Sequence, residues 1–459
     1  MAPLVSNLRF GRWLAPLVFF QVYLSITVWL FFYGPWPWDV DQPSLLFAYL
    51  AAAQICIAAG YLLAWRRVGA LTVQPVRIEA ETLDGIRFLK IALGISALLA
   101  LPSSLSRTGS WIPDIAAGVG NTGLAYNDNF ERLSAGNAFV AVEYLRMLTS
   151  PWLTAVFPLT VLYWSRLGWG WRGAALGMIA FNLAMYLGTG TNKGFADLVV
   201  TLPWLVLLAV STGLLRIPRF GLKLTLASTV MLFSFLYFFG AGQQQREGSG
   251  SEYGTFFTGA AVVQADSGHF ISTLLPEESR LVFEALSRYV VHGYYALSMA
   301  LQTDSPSTLG FGHSMFLARN ADSLFGTDHF VWKSLPGLLD RQEAWGQFLL
   351  WHSIYPWLAS DVGFVGALGV IGAMAYLFGV AWARALTTAS ARWTVLLFLL
   401  FVLFYYVPAN NQVFQSGETC IGFFILLWMV RGKPKRPSTT GAQPETAPSA
   451  LAGAPVLPA

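Results

Sequence analysis

Residues 13–33 read WLAPLVFFQVYLSITVWLFFY, an unbroken run without one charged residue. A helix of this length covers about 30 Å, the thickness of a bilayer's hydrocarbon core. The run is too long for the core of a signal peptide and lacks a small-residue cleavage site, so it is expected to be retained as a membrane span. Similar runs recur along the chain, near 44–64, 87–105, 138–163, 173–189, 195–213, 221–240, 361–383, 393–408 and 417–430. Hydrophobic residues make up 55% of the chain and charged residues 11%. Soluble domains carry about a quarter charged residues. These features exclude an ordinary soluble domain and predict an all-α, polytopic membrane protein with 10–12 spans. The upper figure requires 286–302 and 345–360 to cross as an extra pair. Cys56 and Cys420 both fall in predicted spans and say nothing about redox compartment.

Charge sets the expected orientation. With the N-terminus inside, the short loops RRVGA (66–70), RIPRFGLK (216–223) and RGKPKR (431–436) all lie on the inner face. This is the asymmetry the positive-inside rule describes, and it predicts cytoplasmic termini. The chain divides into one transmembrane domain, 1–432, and a Pro/Ala/Thr-rich tail, 433–459, of disordered composition. Within the domain, 241–360 forms a large outer segment with amphipathic or re-entrant helices. No internal repeat suggests a two-halved transporter.

All five histidines, His269, His292, His313, His329 and His352, fall in that outer segment. EALSRYVVHGYYALSMAL (284–301) puts Glu284, Arg288 and His292 on one helical stripe with Tyr295, next to Tyr289 and Tyr294. The stripe is either one wall of a polar cavity or an Arg288–Glu284 surface pair at i, i+4. LGFGHSMFLARN (309–320) sets His313 in a glycine-rich turn before a helix carrying Arg319, where backbone N–H groups are suited to a phosphate. WHSIYPWLASDVGF (351–364) brings His352 and Asp361 to the mouth of a span, where Asp361 is either functional or an N-cap. Glu143 and Arg146 lie at i, i+3 inside a span, where charges are costly and mark either a site or a structural ion pair. GTGTNKG (188–194) places Lys193 in a glycine-rich turn suited to a diphosphate, although its order is wrong for a Walker A motif. No His/Cys/Asp cluster has metal-ligand spacing. Asp39 and Asp41 are the nearest approach to one, and a solvated turn accounts for them.

SRTGSWIPDIAAGVGNTGLAYNDNF (106–130), VEYLRMLTSPWLTAVFPLTVLYW (142–164), GTGTNKGFAD (188–197), RYVVHGYYALSMAL (288–301), GFGHSMFLARN (310–320) and PWLASDVGFVGALG (356–369) together resemble O-antigen polymerases, the Wzy-type oligosaccharide repeat-unit polymerases. The related O-antigen ligases share the same layout. The resemblance covers most of residues 100–375. It implies a GT-C-like fold and an inverting, metal-independent glycosyltransferase at the outer leaflet of a bacterial inner membrane, without a cofactor. The donor would be a growing glycan on undecaprenyl diphosphate, and the acceptor a sugar hydroxyl of one lipid-linked repeat unit. Expected partners are that lipid-linked oligosaccharide, membrane lipid, and a flippase and chain-length regulator of the same lipopolysaccharide pathway; nucleic acid is not among them. On this reading His292 or His313 is the base, with Glu143, Asp266 or Asp361 as further candidates. Arg146, Arg288 and Arg319 meet the diphosphate, backed by Arg280 and Lys193, and Tyr289, Tyr294, Tyr295 and His352 meet sugar. The competing readings are a ligase acting on lipid A–core, a lipid-oligosaccharide flippase or other transporter, and a metal-dependent enzyme using Asp39 and Asp41.

Overall fold

A computed structural model of the chain describes residues 6–134, 139–247 and 254–431, so the expected tail at 433–459 lies outside the described residues. The fold is nearly all-α, 76% helical. Its first half comprises α1 (Phe10–Tyr33), α2 (Pro43–Val68), α3 (Pro75–Thr108), α4 (Ile115–Gly120), α5 (Thr122–Ser134), α6 (Val140–Tyr163), α7 (Trp169–Gly188), α8 (Lys193–Ser211) and α9 (Phe220–Glu247). The second half comprises α10 (Phe270–Leu274), α11 (Glu277–Ala300), α12 (Met315–Phe325), α13 (His329–Lys333), α14 (Leu335–Gln342), α15 (Ile354–Thr388), α16 (Ala391–Tyr406) and α17 (Gly417–Arg431). Two small antiparallel pairs complete the described fold: β1 (Ser6–Asn7) with β2 (Thr72–Val73), and β3 (Thr255–Phe257) with β4 (Val262–Gln264).

Among the described residues seven helices are long and apolar enough to cross a membrane: α1, α2, α3, α6, α8, α9 and α15. This fits a polytopic membrane protein. The expected spans near 393–408 and 417–430 form α16 and α17, which at 16 and 15 residues fall short of the roughly 20 that spanning requires. The span expected near 173–189 forms α7, long enough at 20 residues but less apolar than the seven. The outward surface of the bundle is greasy. Leu222, Leu226, Val230 and Phe233 of α9 and Val18, Val22 and Ile26 of α1 are exposed, as side chains that meet lipid would be.

Small residues let the helices approach. A Cβ on Gly60 of α2 would lie 2.0 Å from the carbonyl oxygen of Gly372 of α15, so the two backbones touch as in small-residue membrane packing. α16 is apolar all round and buried along nearly its whole length, the pattern of a helix enclosed by others. It packs against α3, α6, α8, α15 and α17. The segment from β3 to α14 is built around α11, which packs against α1, α9 and α14. α15 is two helices joined at Gly363, whose φ of 69° is left-handed. That break falls two residues after Asp361.

Candidate functional site

The glycine-rich turn 308–313 and the break in α15 meet at one carboxylate. Asp361 Oδ1 accepts from the Thr308 hydroxyl at 2.5 Å and from the backbone N–H groups of Gly310 and Gly312, each at 3.0 Å. Its Oδ2 accepts from the His313 N–H at 2.9 Å and from His313 Nδ1 at 2.8 Å. The turn can wrap the carboxylate only because Gly312 has no side chain: a Cβ there would stand 2.0 Å from the Thr308 hydroxyl oxygen. The expectation that these amides hold a phosphate is therefore corrected, because the anion they take is the chain's own. The N-cap expectation for Asp361 is corrected by the same contacts, and α15 begins after Ser353 instead. A carboxylate gripped by five donors is a poor base and a good anchor. It holds the His313 ring through Nδ1 and fixes the direction of Nε2, the arrangement by which an acid orients a general base.

A second cluster joins α3, α6 and α17. Glu418 Oε2 accepts from Arg107 at 2.6 Å and from Arg146 at 2.7 Å. Arg146 Nη1 also donates to the Ser103 hydroxyl at 2.6 Å. Glu143 takes the Ser106 hydroxyl at 2.7 Å and lies 3.6 Å from Arg107. Lys193 pairs with Asp197 at 2.5 Å. Three cations thus face three carboxylates, and among the described residues the buried Arg146 finds no partner for its Nε. Arg146, Lys193, Asp197 and Glu418 line one end of a cavity of about 170 Å³. Its other end is apolar, with Phe157, Met178, Ile179, Phe398 and Val402.

The segment between α16 and α17 is a wall shared by both clusters. Asn411 Nδ2 donates to the His313 carbonyl at 2.6 Å, and the Phe414 ring lies 5.6 Å from the imidazole. Gln412, on the same segment, lines the cavity. Gly417, at the start of α17, is enclosed by Met147 of α6 and Phe316 of α12.

The other residues singled out by sequence have different surroundings. His292 is buried, donates from Nδ1 to the Arg288 carbonyl and accepts the Trp351 N–H on Nε2, both at 3.0 Å. Burial pushes it down to about 4. With both nitrogens engaged it holds the cap together and has no lone pair to offer a substrate. Glu284 is buried and lies 3.8 Å from Arg280, so the expected pair with Arg288 is not formed. Arg288 instead stacks over Phe256 and Trp36, at 4.8 and 5.5 Å. Arg319 stands over Phe348 at 4.9 Å. Tyr294 is core, its hydroxyl 3.0 Å from that of Thr27, and has no surface to offer a sugar. Tyr289 packs on Trp351 at 4.1 Å, and Tyr295 on Trp38 and Trp345, each at 5.3 Å. His352 is enclosed by Trp345 and Trp357, and burial pushes it down to about 3. Asp266 accepts the Gly268 N–H in a turn. Among the described residues no group of three His, Cys, Asp or Glu is placed to hold a metal, and Asp39 and Asp41 gain no third ligand.

Sequence reading missed Arg107, Asp197, Glu418 and Asn411. The available signal was that Arg107 and Glu418 each stand at one end of an apolar run, as Glu143 does. Comparison with known protein families, curated proteins and solved structures finds no match to this chain. The resemblance to O-antigen polymerases therefore rests on the motifs alone.

Proposed function

We propose that the chain is a membrane-embedded glycosyltransferase of the O-antigen polymerase type, moving a glycan from undecaprenyl diphosphate to a sugar hydroxyl of a lipid-linked repeat unit. The observation that carries this reading is the oriented His313–Asp361 pair, sharing the 407–416 wall with a cavity that is lined by ion pairs at one end and apolar at the other. An oriented neutral imidazole suits removal of a hydroxyl proton. A cavity with Arg146 and Lys193 beside apolar side chains suits a diphosphate on a polyprenyl chain.

In the proposed reaction His313 Nε2 takes the acceptor hydroxyl proton while that oxygen bonds to the anomeric carbon. The bond from the anomeric carbon to the diphosphate oxygen breaks, and the electron pair leaves with the diphosphate. Arg146 and Lys193, with Arg107 behind them, stabilise the charge that accumulates there. Glu418, Glu143 and Asp197 hold those cations in position before the lipid arrives. His292, Arg288, Tyr289, Tyr295 and His352 support the cap, and no reacting group is assigned among them. The site would face the periplasm, with both termini in the cytoplasm, and take its substrate from a flippase of the same pathway.

Purified protein given only undecaprenyl-diphosphate-linked repeat units tests this. A ladder of longer lipid-linked glycans is expected. Transfer that appears only when lipid A–core is added would make the chain a ligase. Passage of intact lipid across vesicles with no new glycosidic bond would make it a transporter and overturn the reading.

A further inference from the structure

A second cavity, of about 1,000 Å³, opens at the opposite end of the bundle. Arg107 at the last turn of α3 belongs to the first site, whereas Arg77 and Arg87 near its start line the second. Thirty residues of helix between Arg77 and Arg107 place them about 45 Å apart. This is the end that the positive-inside rule assigns to the inner face.

Six arginines from five helices converge on this groove: Arg67 of α2, Arg77 and Arg87 of α3, Arg384 of α15, Arg392 of α16 and Arg431 of α17. The carboxylates that line it are Glu81 and Asp84, and Asp84 sits 3.5 Å from Arg87. Arg384 is close enough to Arg77 and Arg67 to feel both positive charges. Among the described residues none of these three makes an ion pair. The sequence after Arg431 adds Lys433, Lys435 and Arg436 with Glu445 as its one acid, so it brings no excess of negative charge. Three like charges held together from three helices repel one another, and an anion removes that repulsion. Arginine forks match phosphate oxygens in pairs. The wall of the groove is apolar, with Phe88, Ile91, Tyr376 and Trp393, which suits acyl chains below a charged head.

We infer that this groove binds a phosphate-bearing anion through Arg67, Arg77 and Arg384, and that the apolar wall selects an anionic phospholipid over a soluble phosphate. The inference does not depend on the proposed glycosyl transfer.

Delipidated protein in phosphatidylcholine nanodiscs, titrated with phosphatidylglycerol, tests it. Saturable binding is expected, weakened at least tenfold in the Arg67→Gln/Arg77→Gln/Arg384→Gln variant and weakened less by lysine at the same positions, which keeps the charge but not the fork. Should the triple variant not fold, Arg67→Glu at an exposed position carries the test, with weakening of at least threefold expected. Inorganic pyrophosphate forms the second arm. If it binds as tightly and is lost in the same variants, the anion site stands and its ligand is soluble. Undiminished phosphatidylglycerol binding by a folded glutamine variant, or no preference of the wild-type protein for phosphatidylglycerol over phosphatidylcholine, would overturn the inference.

Discussion

His313 and His292 look alike in sequence, each a histidine among apolar residues in the outer segment. Packing separates them: His292 has both nitrogens bonded to backbone, and His313 has one fixed by Asp361. Asp361→Asn keeps the volume but removes the charge that orients the imidazole. A fall in turnover of about 10²–10⁴ is expected in the lipid-linked oligosaccharide assay, together with a lower melting temperature, because an amide nitrogen cannot accept the N–H groups that Asp361 takes. His292→Ala should lower the melting temperature without removing a reacting group. The buried histidines also set the acid limit of stability. A histidine whose folded value lies at about 4, against 6.5 unfolded, contributes stability that is fully present above 6.5 and lost as pH falls toward 4. His352 acts in the same direction. Thermal melting should therefore fall between pH 6.5 and 4, and His352→Phe should flatten that slope. The sequence named both His313 and Asp361 but not their pairing. The turn at 308–313 and the break at Gly363 are far apart in sequence and meet only through tertiary packing.

At the scale of elements, apolar runs translate directly into helices, because the span length and the 3.6-residue period are both written locally. What was illegible is which helix each polar residue faces. Glu418 is one acid at the start of a run, yet it is the counter-charge for Arg107 on α3 and Arg146 on α6. Glu418→Gln leaves the buried guanidinium of Arg146 and the half-buried one of Arg107 short of charge. Destabilisation of about 3–5 kcal/mol is expected in reversible unfolding, with partial recovery when Arg146→Gln is added. The α2–α15 contact makes a different demand. Gly60→Leu would drive a side chain into the backbone at Gly372, and a loss of 1–3 kcal/mol or more is expected, with a lower melting temperature.

Across the whole molecule, composition and loop charge predicted a polytopic membrane protein, and the seven long apolar helices fit one. The ten expected spans exceed the seven because α16 and α17 are too short by themselves and α7 is less apolar than the seven, and enclosure by other helices rather than length keeps α16 in the apolar interior. The two cavities sit at opposite ends of the bundle, one lined by ion pairs and apolar side chains and sharing a wall with His313, the other the arginine groove. The most direct test of the central claim is glycosyl transfer by the purified protein in nanodiscs, with undecaprenyl-diphosphate-linked repeat units, comparing wild type with His313→Ala. Release of undecaprenyl diphosphate with stepwise lengthening of the glycan is expected from wild type, and a rate about 10²–10⁴ lower from the variant. No transfer by a folded wild-type protein, or equal rates from the two, would contradict the account.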